Sequence, residues 1–509
     1  MPPAANRAAG VPRPAGVAPV AVSTLVRLCG GRIVGSDADV TGVTASSAAV
    51  RSGDLFAGVP GSTVHGASFA ALAGTAGAAA VLTDAAGSGF VPPGLALLVV
   101  DDVRAALGPV ASAVYGTPSR ELAVLGVTGT SGKTTTTFLV RAGLRAAGLS
   151  CGLIGTVATL IDDDVVSTGF TTPEAPDVQA LLAVMRERGS QAVAMEVSSH
   201  ALAMGRADGI EFAVAAFTNL SQDHLDFHAD MDDYFAAKAR LFDGRAKIAI
   251  VVVDDEWGRR MAAVAGADTV TVSTTGAVRA SWQAHDITTA ADGGTSFRVL
   301  GPGVDVAAGC GVLGDYNVAN ALLALAILDA AGVPVEVSAP AVAAASVPGR
   351  MERIDAGQDF LAIVDYSHKP AAVDGALRAL RSLTRGKLIV VLGCGGDRDR
   401  AKRPVMGEIA ARGAQLLVVT DDNPRSEDPA AIRRAMLAGA QSVAAGERGE
   451  VREISDRAEA IAAAVAAARP GDTVLVAGKG HEPGQEIAGV IHPFDDRAVL
   501  RAALQVVPR

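Results

Sequence analysis

The stretch Leu122–Leu144, LAVLGVTGTSGKTTTTFLVRAGL, decides the fold. A short Val/Leu run passes into a glycine turn and then into a segment of helical character, the order strand, loop, helix. Glycines let backbone N–H groups wrap phosphate oxygens at a helix N-terminus. Gly129, Thr130, Ser131, Gly132, Lys133, Thr134 and Thr135 form the expected phosphate loop. Lys133 can offset charge on the β- and γ-phosphates, and the Thr134 hydroxyl can bind Mg²⁺. The match to G-x₄-GK[ST] is incomplete, because position 127 is Val and the glycine stands at 126. A chance GKT turn is the bland alternative, and the strand and helix in order argue against it.

Working outward, further apolar runs follow at Gln191–Val197, Phe212–Leu220 and Ala246–Asp255, separated by helical stretches, as in a doubly wound α/β domain. Before the loop, residues 1–117 alternate Val/Leu runs with Gly-rich turns and read as a smaller α/β unit. Tyr115-Gly116-Thr117-Pro118-Ser119 is turn chemistry and marks the boundary. After it, 118–345 form the central domain, and the Ala/Pro-rich Ser338–Pro348 reads as a linker. In 346–509 four strands (Asp359–Tyr366, Lys387–Gly396, Ala414–Pro424, Asp472–Gly480) each end in a polar or glycine turn, which reads as a third, Rossmann-like domain.

At 509 residues, a prior of ~150 residues per domain also gives about three domains. Half the chain is apolar but only 4% aromatic, so its cores must be packed with Ala, Val and Leu. The net charge of −10 argues against a broad grip on nucleic acid or an anionic membrane. Four scattered cysteines suggest neither a disulfide framework nor a cysteine zinc site and fit a reducing cytoplasm. Arg7 and Arg13 precede the uncharged run Pro14–Val26, but its prolines and Arg27 spoil a signal sequence, so it reads as a ragged start. The expectation is a cytoplasmic monomer that acts on small molecules.

Chemistry-bearing residues gather after the other strands. Met195–His200 and Asn219–His228 are dense in metal-ligand types, with His224 and His228 spaced i,i+4. A capped helix with surface histidines is the bland reading of either; two behind a phosphate loop favour a Mg²⁺ site. Lys238 lies four residues from Tyr234 and Phe242 and three from Phe235 and Leu241, which puts it on an apolar helix face. It could snorkel. Desolvation would instead favour the neutral amine, which can take up CO₂ as a carbamate and so become an anionic metal ligand. In the third domain Gly395–Arg400, Asp422–Arg425 and Gly478–Glu482 close strands. Together they bring Arg398, Arg425 and Glu482 to neighbouring strand ends, a mixture suited to a zwitterionic amino acid.

These motifs, in this order, resemble the Mur ligase family. They run from GVT and GDLF…VPG, through TGTSGKTT, TTPE, MEVSSHAL, TNLSQDHLDFH and YFAAKARLF, to GDYNVANALLA, VPGRMERI, VDYSHKP, GCGGDRD, DNPR and GKGHE. The resemblance implies a three-domain α/β architecture. It also implies ATP-dependent addition of meso-2,6-diaminopimelate to UDP-N-acetylmuramoyl-L-alanyl-D-glutamate through an acyl phosphate, in peptidoglycan precursor synthesis. By resemblance Lys133, Glu196, His224 and Lys238 are catalytic. Thr134, Glu196, His224 and Lys238, the last as N6-carboxylysine, would surround Mg²⁺. Asn317, Arg350 and Asp365 would handle ATP. Ser47, Ser62, Thr63, Thr171, Thr172, Ser198 and Arg206 match precursor-binding positions. Arg398, Asp422, Asn423, Pro424, Arg425, Gly478 and Glu482 match those for diaminopimelate.

Three departures stand out. The family's Asp-Ser-Arg is here Ser46-Ser47-Ala48, a common Gln is Met204, and DYAHTP appears as Asp365–Pro370 with Lys369. Rival readings are a lysine-adding ligase, opposed by DNPR; a folylpolyglutamate synthetase, opposed by the first domain; and a silent scaffold, opposed by the presence of Lys133, Glu196 and Lys238.

Overall fold

Continuous apolar strands, buried on both faces, build the sheets that carry the site loops. The computed structural model describes residues 11–290 and 293–506. The chain divides into two compact units. The first takes the chain up to His285 with Arg298–Ala308 and Ala319–Val342; the second takes Asp286–Phe297, Gly309–Val318 and the chain from Ala343.

Besides a short two-stranded pairing of Val20–Ala21 with Asp39–Val40, the first unit carries two larger sheets among the described residues. The smaller has the order Arg32–Val34, Ala96–Val99, Ala80–Thr83, Asp54–Ala57, Gly42–Thr44, parallel except for its first strand. In the larger, the strand Ala123–Thr128 lies between Ala192–Glu196 and Phe212–Phe217, parallel to both. Cys151–Ile154 extends the sheet on one side, and Ala246–Val252 and Val270–Ser273 on the other, all parallel. All three neighbouring strands at the centre therefore release their loops at one edge, where open α/β sheets place their sites. The core is packed mainly with Val, Leu, Ile and Ala, as the composition requires.

The segment expected to be a ragged start is partly ordered. Arg13 pairs with Asp54 at 2.5 Å, and the Ala15 and Gly16 N–H groups donate to Glu187. A buried carboxylate partner and a helix end hold this stretch; residues 1–10 lie outside the described residues. The expected linker is also corrected in part. Val335–Ala344 is a helix that buries Ser338, Ala339 and Val342 and tolerates Pro340 in its interior. Alanine-rich sequence holds helix there despite the proline.

The second unit is a six-stranded sheet in the order Glu352–Arg353, Leu361–Asp365, Thr473–Ala477, Leu388–Leu392, Leu416–Val419, Glu450–Glu453. It is parallel from Leu361–Asp365 onward. A hairpin, Gly484–Ile487 with Val490–Pro493, follows the Gly478–Glu482 turn. Beneath that turn Arg457 and Asp496, both wholly buried, pair through two bonds of 2.7 Å, and Arg457 also donates to the Ala477 carbonyl at 3.0 Å. The four cysteines are unpaired thiols. Among the described residues no helix is long and apolar enough to cross a membrane.

Candidate active site

In the first unit the glycine-rich turn leads into the helix Lys133–Ala146. Gly129 has φ +146°, and a Cβ there would lie 1.8 Å from Thr218 Oγ1, so only glycine fits. The loop after the adjacent strand Phe212–Phe217 holds this turn. Thr218 Oγ1 donates to the Ser131 carbonyl at 2.6 Å, Asn219 Oδ1 accepts from Ser131 N–H at 3.0 Å, and Thr130 N–H donates to the Asn219 carbonyl at 2.9 Å. Thr130 Oγ1 and the Tyr234 hydroxyl lie 3.1 Å apart. Lys133 Nζ donates to the carbonyls of Gly129 at 2.8 Å and Thr130 at 2.9 Å, so its charge stands over the loop. Sequence reasoning took Asn219 only as a metal-ligand type; its position after a strand adjacent to the loop was the signal for this bracing role.

Lys238 is buried at 1% exposure, on the apolar face that its spacing requires, while Arg240 is exposed. It does not snorkel. Its Nζ donates to the Gly129 carbonyl at 2.8 Å and lies 4.5 Å from the centre of the Tyr234 ring. Two lysines thus converge on one carbonyl of the phosphate loop.

Glu196 ends the strand paired alongside Val127 and is buried. Its carboxylate accepts from Thr156 N–H at 2.8 Å and Thr156 Oγ1 at 3.0 Å. His224 adopts a left-handed φ of +54° in a turn, and its ring packs edge-on to His200 at 4.8 Å. His228, four residues on, is no surface histidine. It is buried between Ser199 Oγ at 3.1 Å and Asp233 at 3.3 Å, a satisfied structural residue. Burial also holds the His200 imidazole below its ordinary range.

No group of three or more His, Cys, Asp or Glu side chains that could hold a metal occurs among the described residues. The donor set suits Mg²⁺ all the same, because that ion keeps its waters and is bound through one or two carboxylates plus substrate phosphates. Buried Thr134 and Glu196 supply such oxygens.

Four of the precursor-matching residues, Thr171, Thr172, Ser198 and Arg206, share one network. Thr171 Oγ1 lies 2.9 Å from Thr156 Oγ1, and Thr172 Oγ1 donates to the Glu196 carbonyl at 2.9 Å and accepts from Ser198 N–H at 3.2 Å. Arg206 donates to the Thr172 carbonyl at 3.3 Å, pairs with Glu174 at 2.9 Å and lies 4.7 Å over the Phe170 ring. Glu174, which sequence reasoning passed over within TTPE, also pairs with Arg104 at 3.6 Å. Ser47 begins a 3₁₀ turn, and Ser62 and Thr63 are exposed between Pro60 and His65. His65 fixes that turn through Ala67 N–H at 3.1 Å and Asp84 at 3.1 Å.

In the second unit Asn317 donates to the Leu313 carbonyl at 2.7 Å. Arg350 stacks 4.4 Å over the Tyr366 ring. Asp365 accepts from Met351 N–H at 2.7 Å and Ser367 N–H at 2.9 Å, which shapes the turn that leads into the helix Pro370–Leu383. Burial drives the His368 imidazole down to about 4, so it is neutral near pH 7, and its Nδ1 lies 2.8 Å from the Tyr366 carbonyl oxygen.

The ends of the strands Leu388–Leu392, Leu416–Val419 and Thr473–Ala477 bring together the residues expected to hold an amino acid. Asp422 and Asn423 are buried, and Gly478, at φ +118°, passes so close that a Cβ would meet Asp422 Oδ2 at 2.5 Å. Arg425 sits at φ +54° in a left-handed conformation that costs ~1 kcal/mol or more and is over-determined by its neighbours. Its N–H donates to the Glu486 carbonyl at 2.9 Å, and its own carbonyl accepts from Ala488 N–H at 2.7 Å. Its guanidinium donates to the Gly396 carbonyl at 2.7 Å and faces Glu486 at 3.4 Å. Arg398 is exposed and donates to the Asp397 carbonyl at 3.2 Å. Sequence reasoning missed Glu486 and the hairpin that carries it. It also missed Arg403, which pairs with Glu427 at 2.8 Å; that bond and Asp397 N–H hold the Glu427 carboxyl down to about 2.

A strand–phosphate loop–helix unit and a Rossmann-like sheet with charged strand-end loops fit an ATP-using ligase class, and the chain belongs to the Mur ligase family. Its three domain models match in order: the Mur ligase family catalytic domain at residues 39–115, the Mur ligase middle domain at 127–328, and the Mur ligase glutamate ligase domain at 349–480. Among relatives, UDP-N-acetylmuramoyl-L-alanyl-D-glutamate–2,6-diaminopimelate ligase of Streptomyces avermitilis is 54% identical over 97% of this chain and 98% of its own. The ligase of the same name from Corynebacterium glutamicum is also 54% identical, over 90% of each chain. A solved structure of a ligase of that name matches with a TM-score of 0.68 at 32% identity, covering 92% of this chain and 95% of the other. The three-domain Mur ligase architecture expected from the sequence is therefore the one observed.

Proposed function

We propose that this chain joins meso-2,6-diaminopimelate to the D-glutamate carboxylate of UDP-N-acetylmuramoyl-L-alanyl-D-glutamate at the expense of ATP. The observation that carries the reading is Arg425, a guanidinium locked in a strained turn beside the buried Asp422–Asn423 pair and Glu482. A fixed cationic fork next to a carboxylate matches an acceptor that bears an extra carboxylate and an ammonium.

The Arg206–Thr172–Ser198 network orients the precursor carboxylate. That carboxylate attacks the γ-phosphate, giving an acyl phosphate and ADP. The acceptor amine then attacks the acyl carbon, passes through a tetrahedral intermediate and expels phosphate. Lys133 turns from the loop carbonyls to the transferring phosphoryl group, where a fixed positive charge lowers the barrier. Thr134, Glu196, His224 and carbamylated Lys238 would hold Mg²⁺, which offsets phosphate charge when bound. Asn317, Arg350 and Asp365 serve the nucleotide. Ser47, Ser62 and Thr63 serve the uridine end. The enzyme works as a cytoplasmic monomer.

Phosphate release from ATP with the UDP-muramoyl dipeptide tests this, with meso-diaminopimelate compared against L-lysine. Release that depends on meso-diaminopimelate is expected; equal use of L-lysine would overturn the acceptor assignment.

A further inference from the structure

Lys479, inside the GKGHE turn, takes no part in the chemistry above. Its side chain is wholly buried. The ammonium donates to Asn423 Oδ1 at 3.0 Å and lies 3.5 Å from Glu482 Oε2. Asn423 Nδ2 donates to that same Oε2 at 2.8 Å, while Asn423 Oδ1 also accepts from Glu486 N–H at 3.0 Å. On the other side the Tyr366 hydroxyl donates to Glu482 Oε1 at 3.3 Å. The Glu482 side chain is about a third exposed, so the network runs from a buried cation to a carboxylate that reaches the pocket.

Burying an ammonium is costly, and a methionine of similar volume would fill the same space without that cost. The charge therefore has a use in the pocket. Lys479 and Asn423 engage one oxygen of Glu482 and the Tyr366 hydroxyl the other, so the carboxylate is held on both sides while about a third of the side chain stays exposed. A carboxylate fixed in this way keeps its rotamer for an incoming ammonium.

We propose that Lys479 is a positioning residue of the amino-acid pocket, which aims Glu482 at the ammonium group of the acceptor. This rests on the acceptor site described above. The test uses the full-length enzyme in steady state with ATP, UDP-muramoyl dipeptide and meso-diaminopimelate. Lys479→Gln should raise the acceptor KM by about tenfold or more, the loss typical of a hydrogen bond to a charged group, and should leave the ATP KM nearly unchanged. In a Glu482→Gln background the same substitution should cost almost nothing, because the lysine acts through that carboxylate. Lys479→Met, which keeps the apolar stem, should reproduce both results.

Additive losses in the double variant, equal changes in both KM values, or an unchanged acceptor KM would overturn the proposal. So would failure of both Lys479 variants to fold while Glu482→Gln folds, since the lysine would then be structural. Calorimetry of meso-diaminopimelate with the wild-type enzyme separates the two levels. Wild-type binding with additive losses sinks only the Lys479 role; no wild-type binding sinks the pocket itself.

Discussion

Lys133 and Lys238 share an acceptor, the Gly129 carbonyl, yet their surroundings assign them different work. Lys133 is partly exposed at the mouth of the loop, where it can turn to phosphate; Lys238 is sealed beneath it. Lys133→Ala should therefore leave the melting temperature nearly unchanged and lower kcat by ~10²-fold or more, the usual loss for a charge aimed at a transition state. Retention of a tenth of kcat would contradict that role. For Lys238, the proposed carbamate forms on a side chain buried at 1% exposure. Lys238→Ala should be nearly inactive and partly restored by short carboxylic acids. Rescue by small amines instead would assign the function to the ammonium that now holds Gly129. Arg425→Ala should raise the KM for meso-diaminopimelate steeply and spare that for ATP. Sites built around a polar group discriminate by roughly 10⁴-fold, so the same change should narrow the gap to L-lysine.

Among the elements, the helix Ala175–Glu187 carries a charge that folding works against. Asp177, in its first turn, has its carboxyl pushed up to about 6 by burial and by Glu174, against the pull of Arg13. The raised value means the folded state holds the proton more tightly than the unfolded one. The penalty is absent well below pH 3.8, where both states are protonated, grows as pH rises from 3.8 to about 6, and is complete above that. Asp177→Asn should thus stabilise the protein by about 1–3 kcal/mol at pH 7.5. The gain should vanish by about pH 3 in denaturant titrations. An equal gain at both pH values would mean that the carboxylate is not the cause. The hairpin Gly484–Pro493 shows the opposite economy: two backbone bonds to Arg425 offset the strain of its left-handed turn.

Across the whole molecule, the wholly buried Arg457–Asp496 pair ties the starts of two helices to the end of the strand Thr473–Ala477, under the proposed acceptor pocket. Removing one partner of such a pair strands a charge and typically costs ~3–5 kcal/mol. Asp496→Ala should lower stability by that amount. Hydrogen exchange should show the loss first in the strands Leu361–Asp365 and Thr473–Ala477. Unchanged protection there would show that the pair is incidental to the sheet.

The sequence by itself determined the parts whose signals are local. Leu122–Leu144 specified strand, phosphate loop and helix, because apolar runs, glycine turns and helical spacing act over a few residues. The same holds for the strands of the third domain and for the apolar position of Lys238. Only the tertiary structure decided the roles that depend on pairs distant in the chain. Asn219 bracing Ser131, Glu174 gripping Arg206, Glu486 facing Arg425 and Lys479 reaching Asn423 join residues that only the adjacency of strand ends brings together. It also decided that His228 is buried while Arg398 is exposed, and that the Ala/Pro-rich segment carries helix to Ala344. Burial and partner choice belong to the packed chain as a whole, and no spacing along one segment encodes them.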